Sequence, residues 1–390
     1  MNTSTSNTAT NTTPPLFQWQ EKNKALSAVW QSENGALPPK KVQIADDTTT
    51  ADAAYKLCCE GTALLWRGDY QNAKQLLQAL SRRIDRPGKK PKKAPDDLTL
   101  AFHLHRQAQS QKARILGMLV IEVSVGYHIN LRRAPDIKAA CEHAYGKSTH
   151  GFIVSLRELL GLNGAYEWSK SGVDIPIMNA KIYPSYGVFS PIRGEYLSLV
   201  DSAPLPKNCN LAFDIGTGTG VLAAILANRG ITKIVATDNS DRALACAEKN
   251  MALLNLKNAV TLVSADLFPN SSVGKANLIV CNPPWLPARP SSMLERAVYD
   301  ENSQMLKGFL SGLNTHLAED GEAWLILSDF AEHLGLRAKD EVQNLIDAAG
   351  LRVIEKMEAK AQHKKVLDAS DPLHKARKLE VTYLLRLAKA

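Results

Sequence analysis

The 390-residue chain has few cysteines and no long uninterrupted apolar run. Its six cysteines are scattered, and Cys58 and Cys59 are adjacent, a spacing that suits neither a zinc site nor a disulfide framework. Histidine and cysteine never cluster with ligand spacing, so no metal is predicted. The apolar stretch 115–125 contains Glu122 and is too short to cross a membrane. These absences predict a reduced, soluble, cytoplasmic protein.

The amino-terminal residues also lack the apolar core that a secretory signal needs. The segment MNTSTSNTATNTTPP is mostly Ser, Thr and Asn, a composition typical of disorder. We therefore expect residues 1–48 to be a disordered tail and linker. A chain of this length predicts two or three structural units in all.

The formal net charge of +8 is unevenly distributed. Residues 1–184 carry 24 Lys and Arg against 16 Asp and Glu, residues 185–330 carry 11 against 14, and residues 331–390 carry 12 against 9. An acidic middle between basic arms suits a protein that docks on an anionic macromolecule, such as RNA or the ribosome. Ordinary solvated surface charge explains the same distribution equally well.

Residues 49–165 are predicted to form a mainly α-helical domain that recognises the substrate. The apolar spacing over residues 51–83 indicates two amphipathic helices joined at residues 67–69, and helices are also predicted over 98–129 and 152–162. The basic run Lys89 to Lys93 contains Pro and follows Pro-Gly, so it is predicted to be an exposed loop.

Residues 170–390 have a different pattern, in which short strands alternate with helices. A hairpin is predicted over 174–178 and 181–188. Further strands are predicted at 211–215, 233–238, 260–266, 278–282, 322–328, 351–357 and 381–387, and helices at 220–228, 240–254, 304–317 and 339–349. Such alternation predicts a mostly parallel α/β sheet covered on both faces. The last two strands have no long helix between them, so the final strand is predicted to insert antiparallel.

An acidic, glycine-rich turn, Asp214-Ile-Gly216-Thr217-Gly218-Thr-Gly220, follows the first of these strands. Glycines let a backbone turn tightly and approach a ligand where a Cβ would clash. A dinucleotide fingerprint has the spacing G-x-G-x-x-G and directs helix N–H groups at a pyrophosphate, but here the third glycine comes one residue early. A carboxylate at Asp214 would disfavour a pyrophosphate and suits the ammonium group of S-adenosylmethionine, which NAD lacks.

Acidic residues also end the next two strands. Asp238, followed by Asn239, lies about 20 residues beyond the glycine turn, where a carboxylate can accept both hydroxyls of an adenosine ribose. It could instead be an acidic residue at the start of the next helix. Asp266 could accept a hydrogen bond from an adenine amine, with Leu267 or Phe268 against the ring, although an isolated Asp here could equally be a loop residue.

The most specific motif is Asn282-Pro283-Pro284-Trp285, which ends the fourth strand. Two prolines end the strand in a rigid turn, at the edge of the sheet where ligands bind. The Asn282 side-chain oxygen and the Pro283 carbonyl could accept hydrogen bonds from a planar NH₂ group and orient its lone pair toward a sulfonium methyl. Trp285 would stack on the planar acceptor. The alternative is a structural turn with a buried Trp. No general base is evident.

The segments DIGTGTG, ATDNS, SADLF and CNPPW together resemble class I S-adenosylmethionine-dependent methyltransferases. The resemblance is to the small methyltransferase group, which includes the HemK-like glutamine N5-methyltransferases and several RNA guanine and adenine N-methyltransferases. It covers roughly residues 186–329 and implies a seven-stranded Rossmann-like sheet. The candidate cofactor residues are Asp214, Gly216, Thr217, Gly218, Gly220, Asp238, Asn239, Asp266, Leu267 and Asn282, and the candidate catalytic residues are Asn282, Pro283, Pro284 and Trp285.

The chain departs from the HemK-like pattern in two places. The segment that contains Arg193 is similar in position to a Pro-Arg segment of that group but differs in spacing. HemK-like proteins usually have Tyr after the two prolines, whereas base methyltransferases have Trp, Phe or Tyr there.

A basic loop is also predicted near the acceptor. If strand six is parallel, its connection to strand seven emerges at the ligand edge and carries Lys364, Lys365 and Arg377. We hypothesise that these residues, with Arg193 and the Lys89 to Lys93 run, bind an anionic substrate; a solvated loop is the alternative.

Three functions remain open. The first is an N-methyltransferase that acts on a planar amide or amine nitrogen of a macromolecule, with a protein glutamine side chain slightly favoured. The second is an RNA or DNA base methyltransferase acting on adenine N6 or guanine N2. The third is a non-catalytic cofactor-binding scaffold, against which the intact acceptor motif argues. A dehydrogenase is excluded by the glycine spacing.

Overall fold

The computed structural model describes residues 14–86, 95–191, 193–291, 294–360 and 366–390. The chain divides into two compact units. The amino-terminal unit comprises residues 1–87 and 111–163, and the carboxy-terminal unit comprises residues 88–110 and 164–390. The grouping of residues 88–110 with the carboxy-terminal unit was not predicted.

The amino-terminal unit is built on a mixed sheet in which six strands are described. The strands are β1 (Leu16–Glu21), β2 (Lys24–Gln31), β3 (Lys41–Ala45), β4 (Thr62–Trp66), β5 (Leu119–Val123) and β6 (Phe152–Ser155). The helices in this part of the chain are α1 (Ala51–Cys59), α2 (Tyr70–Ile84), α3 (Leu98–Leu116), α4 (Lys138–Tyr145) and α5 (Leu156–Ser171). The strand order is β1-β2-β6-β5-β4-β3. Phe17 and Trp30 stack in its core with ring centroids 5.7 Å apart.

The prediction of a disordered segment over residues 1–48 is therefore wrong for the described residues, and the predicted helical domain contains helices but also strands that were not predicted. Within the predicted tail, residues 1–48, lie β1, β2 and β3, and β1 alternates exposed and buried positions with Phe17 and Trp19 inside. Strand β4 lies within the predicted helix pair and is buried at every position. A short, continuously apolar run has no two-residue alternation, so its periodicity does not distinguish a buried strand from a buried helix.

In the carboxy-terminal unit, α5 is followed by the predicted hairpin, which is shorter than expected and consists of β7 (Val173–Ile175) and β8 (Ala180–Ile182), and then by helix α6 (Glu195–Ser202). The strands of its main sheet are β9 (Ala212–Ile215), β10 (Ile234–Asp238), β11 (Val260–Ser264), β12 (Ala276–Cys281), β13 (Leu317–Ser328), β14 (Leu351–Lys360) and β15 (Val381–Lys389). Its further helices are α7 (Val221–Asn228), α8 (Asp241–Leu253), α9 (Gln304–His316), α10 (Phe330–His333), α11 (Glu341–Ala348) and α12 (His374–Leu379).

The main sheet has the order β11-β10-β9-β12-β13-β15-β14 across its seven described strands. Strand β15 is antiparallel to both neighbours, and the other pairs are parallel. The predicted Rossmann-like sheet with an antiparallel last strand is thus confirmed. No helix formed by the described residues is long and apolar enough to span a membrane.

The central strand β9 determines where the site lies. Ala212 packs in the core on one face of the sheet and Phe213 in the core on the other, and burying a side chain as large as that of Phe213 contributes about 1.5–3 kcal/mol. Ile215, the last residue of β9, is in register with Thr237 of β10 and Cys281 of β12. The residues that follow these three strands therefore meet at one edge of the sheet.

Candidate active site

The glycine turn follows β9 at this edge. Gly216 and Gly218 have φ values of +72° and +55°, which side chains with a Cβ adopt only at a cost. A Cβ on Gly216 would lie 2.7 Å from Met305 Cε, whereas a Cβ on Gly218 would meet nothing within 4 Å. The backbone at Gly218 therefore borders open space, where a ligand can approach it closely.

Asp214 stabilises the glycine turn from inside the protein core. Its carboxylate is fully buried, and Oδ2 accepts hydrogen bonds from Thr217 Oγ1 at 2.6 Å and from the Ala223 amide at 3.1 Å. Oδ1 is buried and accepts no hydrogen bond from any described residue. Burial raises the pKa of Asp214 to about 6. One oxygen thus holds the turn against α7, while the other is an acceptor that a cationic donor such as an ammonium group would satisfy.

Asp238 connects the end of β10 to the same turn. Its Oδ2 accepts a hydrogen bond from the Gly218 amide at 3.0 Å, and its Oδ1 accepts one from the Ser240 amide at 2.9 Å. Each carboxylate oxygen can accept a further bond, so ribose hydroxyls remain possible ligands. Asn239 is exposed, and Ser240 caps α8 by accepting from the Ala243 amide.

Three residues after β11 were expected to contact the adenine, and they lie in different surroundings. Asp266 is exposed and Leu267 is partly buried beside α9, with φ +72°. Phe268 stacks on His316 with centroids 4.3 Å apart and an interplanar angle of 6°. The Phe268 ring is therefore packed against α9, and of the two residues considered for contact with an adenine ring, Leu267 remains the candidate.

The acceptor motif follows β12, with Pro283 and Pro284 buried and Asn282 partly exposed. Trp285 Nε1 donates a hydrogen bond to Asn282 Oδ1 at 2.9 Å. The guanidinium of Arg193 lies 4.9 Å from the centroid of the Trp285 ring. The indole therefore orients the Asn282 amide, and one of its faces is covered by a cation, so stacking of a substrate on Trp285 is restricted to the opposite face.

Arg193 also makes ion pairs behind this motif. Its Nε lies 3.0 Å from Glu195 Oε1 and its Nη2 lies 3.0 Å from Glu380 Oε1. Both glutamate side chains are almost fully buried. The structure therefore places Arg193 beside the acceptor motif, and its charge is balanced by two carboxylates.

The other basic candidates are placed differently. Lys364, Lys365 and the run 89–93 lie outside the described residues. Arg377 lies on α12, pairs with Asp371 Oδ2 at 2.7 Å and covers the Phe330 ring at 4.8 Å. Since its guanidinium is held by these contacts, Arg377 supports packing in this structure.

Sequence reasoning missed two polar residues that organise the site. Asn250 is fully buried, donates to the Thr219 carbonyl at 2.9 Å and accepts from the Tyr183 amide at 2.8 Å, so it ties the glycine turn to the segment after the hairpin. Asp300 accepts hydrogen bonds from the Met305 and Leu306 amides and so caps α9. An Asp just before a predicted helix was the available signal for Asp300. Among the described residues, no cluster of three or more His, Cys, Asp or Glu could hold a metal ion.

Comparison with known families identifies this part of the chain. A profile of the methyltransferase small domain matches residues 179–345. Residues 179–345 belong to the methyltransferase small domain family. The matched segment contains the glycine turn, Asp238 and the Asn282 to Trp285 motif. The family and its cofactor, S-adenosylmethionine, are those predicted, and the open space at Gly218 and the unpaired oxygen of Asp214 fit that cofactor.

Three relatives of this methyltransferase domain show its range. The release factor glutamine methyltransferase of Caulobacter vibrioides is 30% identical over 166 residues, 41% of this chain and 57% of the relative. The putative protein N5-glutamine methyltransferase of Methanocaldococcus jannaschii is 26% identical over 187 residues, 46% of this chain and 88% of the relative. The tRNA1(Val) (adenine(37)-N6)-methyltransferase of Shewanella woodyi is 30% identical over 150 residues, 36% of this chain and 61% of the relative. The chain thus spans little more than half the length of the Caulobacter relative.

Proposed function

We propose that this protein is an S-adenosylmethionine-dependent N-methyltransferase whose acceptor is the planar amide nitrogen of a protein glutamine side chain. The observation that supports this most directly is the position of the acceptor motif. Asn282 follows Cys281, which is in register with Ile215, so the Asn282 amide oxygen and the glycine turn lie at the ends of neighbouring strands. An acceptor bound at one would face a cofactor bound at the other.

The cofactor, when bound, supplies an electrophilic methyl group on a sulfonium. The protein's part is to orient the acceptor nitrogen. Asn282 Oδ1 and the Pro283 carbonyl accept hydrogen bonds from its two N–H groups, which reduces the conjugation of its lone pair and directs that lone pair toward the methyl group. Both prolines are buried, which fixes the turn that presents Asn282 at this edge. Removing one such preorganised hydrogen-bonding group typically costs about a hundredfold or more in rate.

Trp285 assists without contacting the reacting atoms. An amide oxygen has two lone pairs, and the indole N–H occupies one of them at Asn282 Oδ1. Because only the amide oxygen of Asn282 can accept this bond, the bond fixes which way the amide is turned. The second lone pair of the oxygen remains for the acceptor. Trp285 is therefore assigned as a positioning residue.

A glutamine acceptor is favoured because two of the relatives are named for glutamine methylation. The second candidate is a nucleic-acid base nitrogen such as adenine N6. It is supported by Trp285, since base methyltransferases accept Trp where HemK-like proteins usually have Tyr, and by the name of the Shewanella relative. Both acceptors present a planar NH₂ group to the same two oxygens.

The two candidates are separated by offering both acceptors to the purified protein. Unmodified peptide chain release factor and unmodified bulk tRNA would each be incubated with radiolabelled S-adenosylmethionine. We expect label in release factor, located by mass spectrometry on a glutamine, and none with Asn282→Ala. Label confined to tRNA would contradict the glutamine assignment and support the base.

We also assign substrate recognition to the amino-terminal unit and to the basic residues Lys364 and Lys365. The net positive charge of residues 1–184 supports an anionic or ribosome-associated substrate. Crosslinks from the acceptor to residues 16–86 and 111–155 of the amino-terminal unit are expected. If alanine at both lysines changed neither acceptor affinity nor its salt dependence, their part of the assignment would be refuted.

A further inference from the structure

The described residues that follow the acceptor motif, 286–291 and 294–300, are joined at their two ends, and we call them the acceptor loop. The Leu286 amide donates to the Val298 carbonyl at 3.1 Å, and the Asp300 amide donates to the Leu286 carbonyl at 2.8 Å. These two bonds join the first residue of the loop to its last residues. The base of the loop is therefore held directly beside Trp285.

The other end of the acceptor loop reaches the cofactor side of the site. Asp300 caps α9 by accepting from the Met305 amide at 3.1 Å and the Leu306 amide at 3.2 Å. Met305 Cε lies 2.7 Å from the position of a Cβ on Gly216. The loop thus connects the acceptor motif to α9, whose Met305 side chain lies beside the glycine turn.

One side chain from outside the loop holds its middle. Arg106, on the part of α3 that groups with the carboxy-terminal unit, donates through Nη2 to the Arg289 carbonyl at 2.8 Å and pairs with Glu295 Oε2 at 3.2 Å. Its guanidinium also lies 3.9 Å from the centroid of the Tyr299 ring. A single planar cation therefore contacts the loop at three places, which a lysine could not do with the same geometry.

Two further contacts make this arrangement specific. Glu295 Oε2 also accepts from the Ser291 amide at 2.8 Å and from its hydroxyl at 2.7 Å, so the ion pair is connected to both halves of the loop. Phe102, four residues before Arg106 and on the same face of α3, is buried in one apolar cluster with Leu286. Arg106 is thus presented by a helix that is itself packed on the base of the loop.

We infer that Arg106 is a positioning residue for the methyl acceptor, acting through the acceptor loop. This inference rests on the proposed function, because it assigns the loop to the acceptor pocket. Loss of the guanidinium releases Arg289, Glu295 and Tyr299 together, so the acceptor should bind and react less well. The cofactor should bind almost normally, because Asp214 and Asp238 hold the glycine turn without the loop.

The test compares Arg106→Gln and Arg106→Lys with Thr99→Val in the full-length protein. Thr99 lies on the same helix and donates to the Leu334 carbonyl at 2.7 Å, so its loss weakens the helix without touching the loop. We would measure hydrogen exchange of peptides covering 286–300 and S-adenosylmethionine affinity by calorimetry. We would also measure kcat and KM for whichever of release factor and tRNA the wild-type protein methylates.

For Arg106→Gln we expect at least tenfold faster exchange in the loop, at least a tenfold lower kcat/KM for the acceptor, mainly through KM, and cofactor affinity within threefold of wild type. Arg106→Lys should show smaller changes in loop exchange and in kcat/KM than Arg106→Gln. Thr99→Val should show neither change. Loop exchange and kcat/KM equal to those of Thr99→Val would overturn the inference, as would a loss of activity without faster exchange. Wild-type protein that binds the cofactor but methylates neither release factor nor tRNA would refute the proposed acceptors, while the exchange measurement would still decide whether Arg106 holds the loop.

Discussion

Replacing Gly218 by alanine tests the cofactor site with a matched control in the same unit. Gly218 has φ +55° and a Cβ there would meet no protein atom within 4 Å. Gly230, which follows α7 at the opposite edge of the sheet, has φ +97° and is equally unobstructed. Both substitutions therefore place a Cβ at positive φ, and they differ in what lies beside the new methyl group.

The backbone penalty sets the expected stability loss. Placing alanine in the left-handed region costs about 1–2 kcal/mol, and 1 kcal/mol lowers Tm by about 2–4 °C in a domain of this size. Both variants should thus unfold about 2–8 °C below the wild type. Only Gly218→Ala places a methyl group where the cofactor approaches the backbone, and an added penalty of about 1.4 kcal/mol corresponds to tenfold weaker binding.

We therefore expect calorimetry to show S-adenosylmethionine binding at least tenfold weaker for Gly218→Ala and within twofold of wild type for Gly230→Ala. Thermal unfolding of both variants, followed by circular dichroism, provides the stability comparison. Equal cofactor affinities in the two variants would refute the placement of the cofactor at the Gly218 backbone.

Two further predictions concern buried carboxylates. Burial raises the pKa of Asp214 from 3.8 to about 6, so between these values the folded protein holds a proton that the unfolded chain has lost, and this residue makes stability fall as pH rises from about 4 to about 6. In urea unfolding, the free energy of unfolding of Asp214→Asn should therefore rise by about 3 kcal/mol relative to that of the wild type as pH increases over that interval, at about 1.4 kcal/mol per pKa unit. A difference that does not change with pH would show that Asp214 ionises normally. Asp300→Ala removes both side-chain acceptors that cap α9 and should cost about 1–2 kcal/mol of stability, whereas Asp340→Ala, at a helix start without a side-chain cap bond, should cost less; equal losses would contradict the capping role.

The carboxy-terminal sheet could be read from the sequence because its elements carry strong local signals. Glycines follow β9, a serine caps α8, and two prolines end β12, so each boundary has a physical cause in one or two residues. The carboxyl ends of parallel strands meet at one edge of a sheet, so the sequence already places Asp214, Asp238 and Asn282 together.

The amino-terminal sheet could not be read in this way. Strand β6 runs directly into α5 at Leu156 without a turn residue, and β4 has no exposed position, so neither has the pattern that separates strands from helices. The contacts of Arg193 with Glu380 and of Arg106 with Glu295 join distant segments, and only the folded chain brings them within reach.

The central claim is that the Asn282 side-chain oxygen orients the acceptor nitrogen. It is tested most directly by single-turnover methyl transfer with Asn282→Ala, using Asn277→Ala as control. Asn277 lies near the start of β12, the strand that Asn282 follows, and accepts from the Asn210 and Leu211 amides. We predict a rate at least about a hundredfold lower for Asn282→Ala, with S-adenosylmethionine affinity unchanged, and a rate near wild type for Asn277→Ala. A rate for Asn282→Ala within threefold of wild type would contradict the claim.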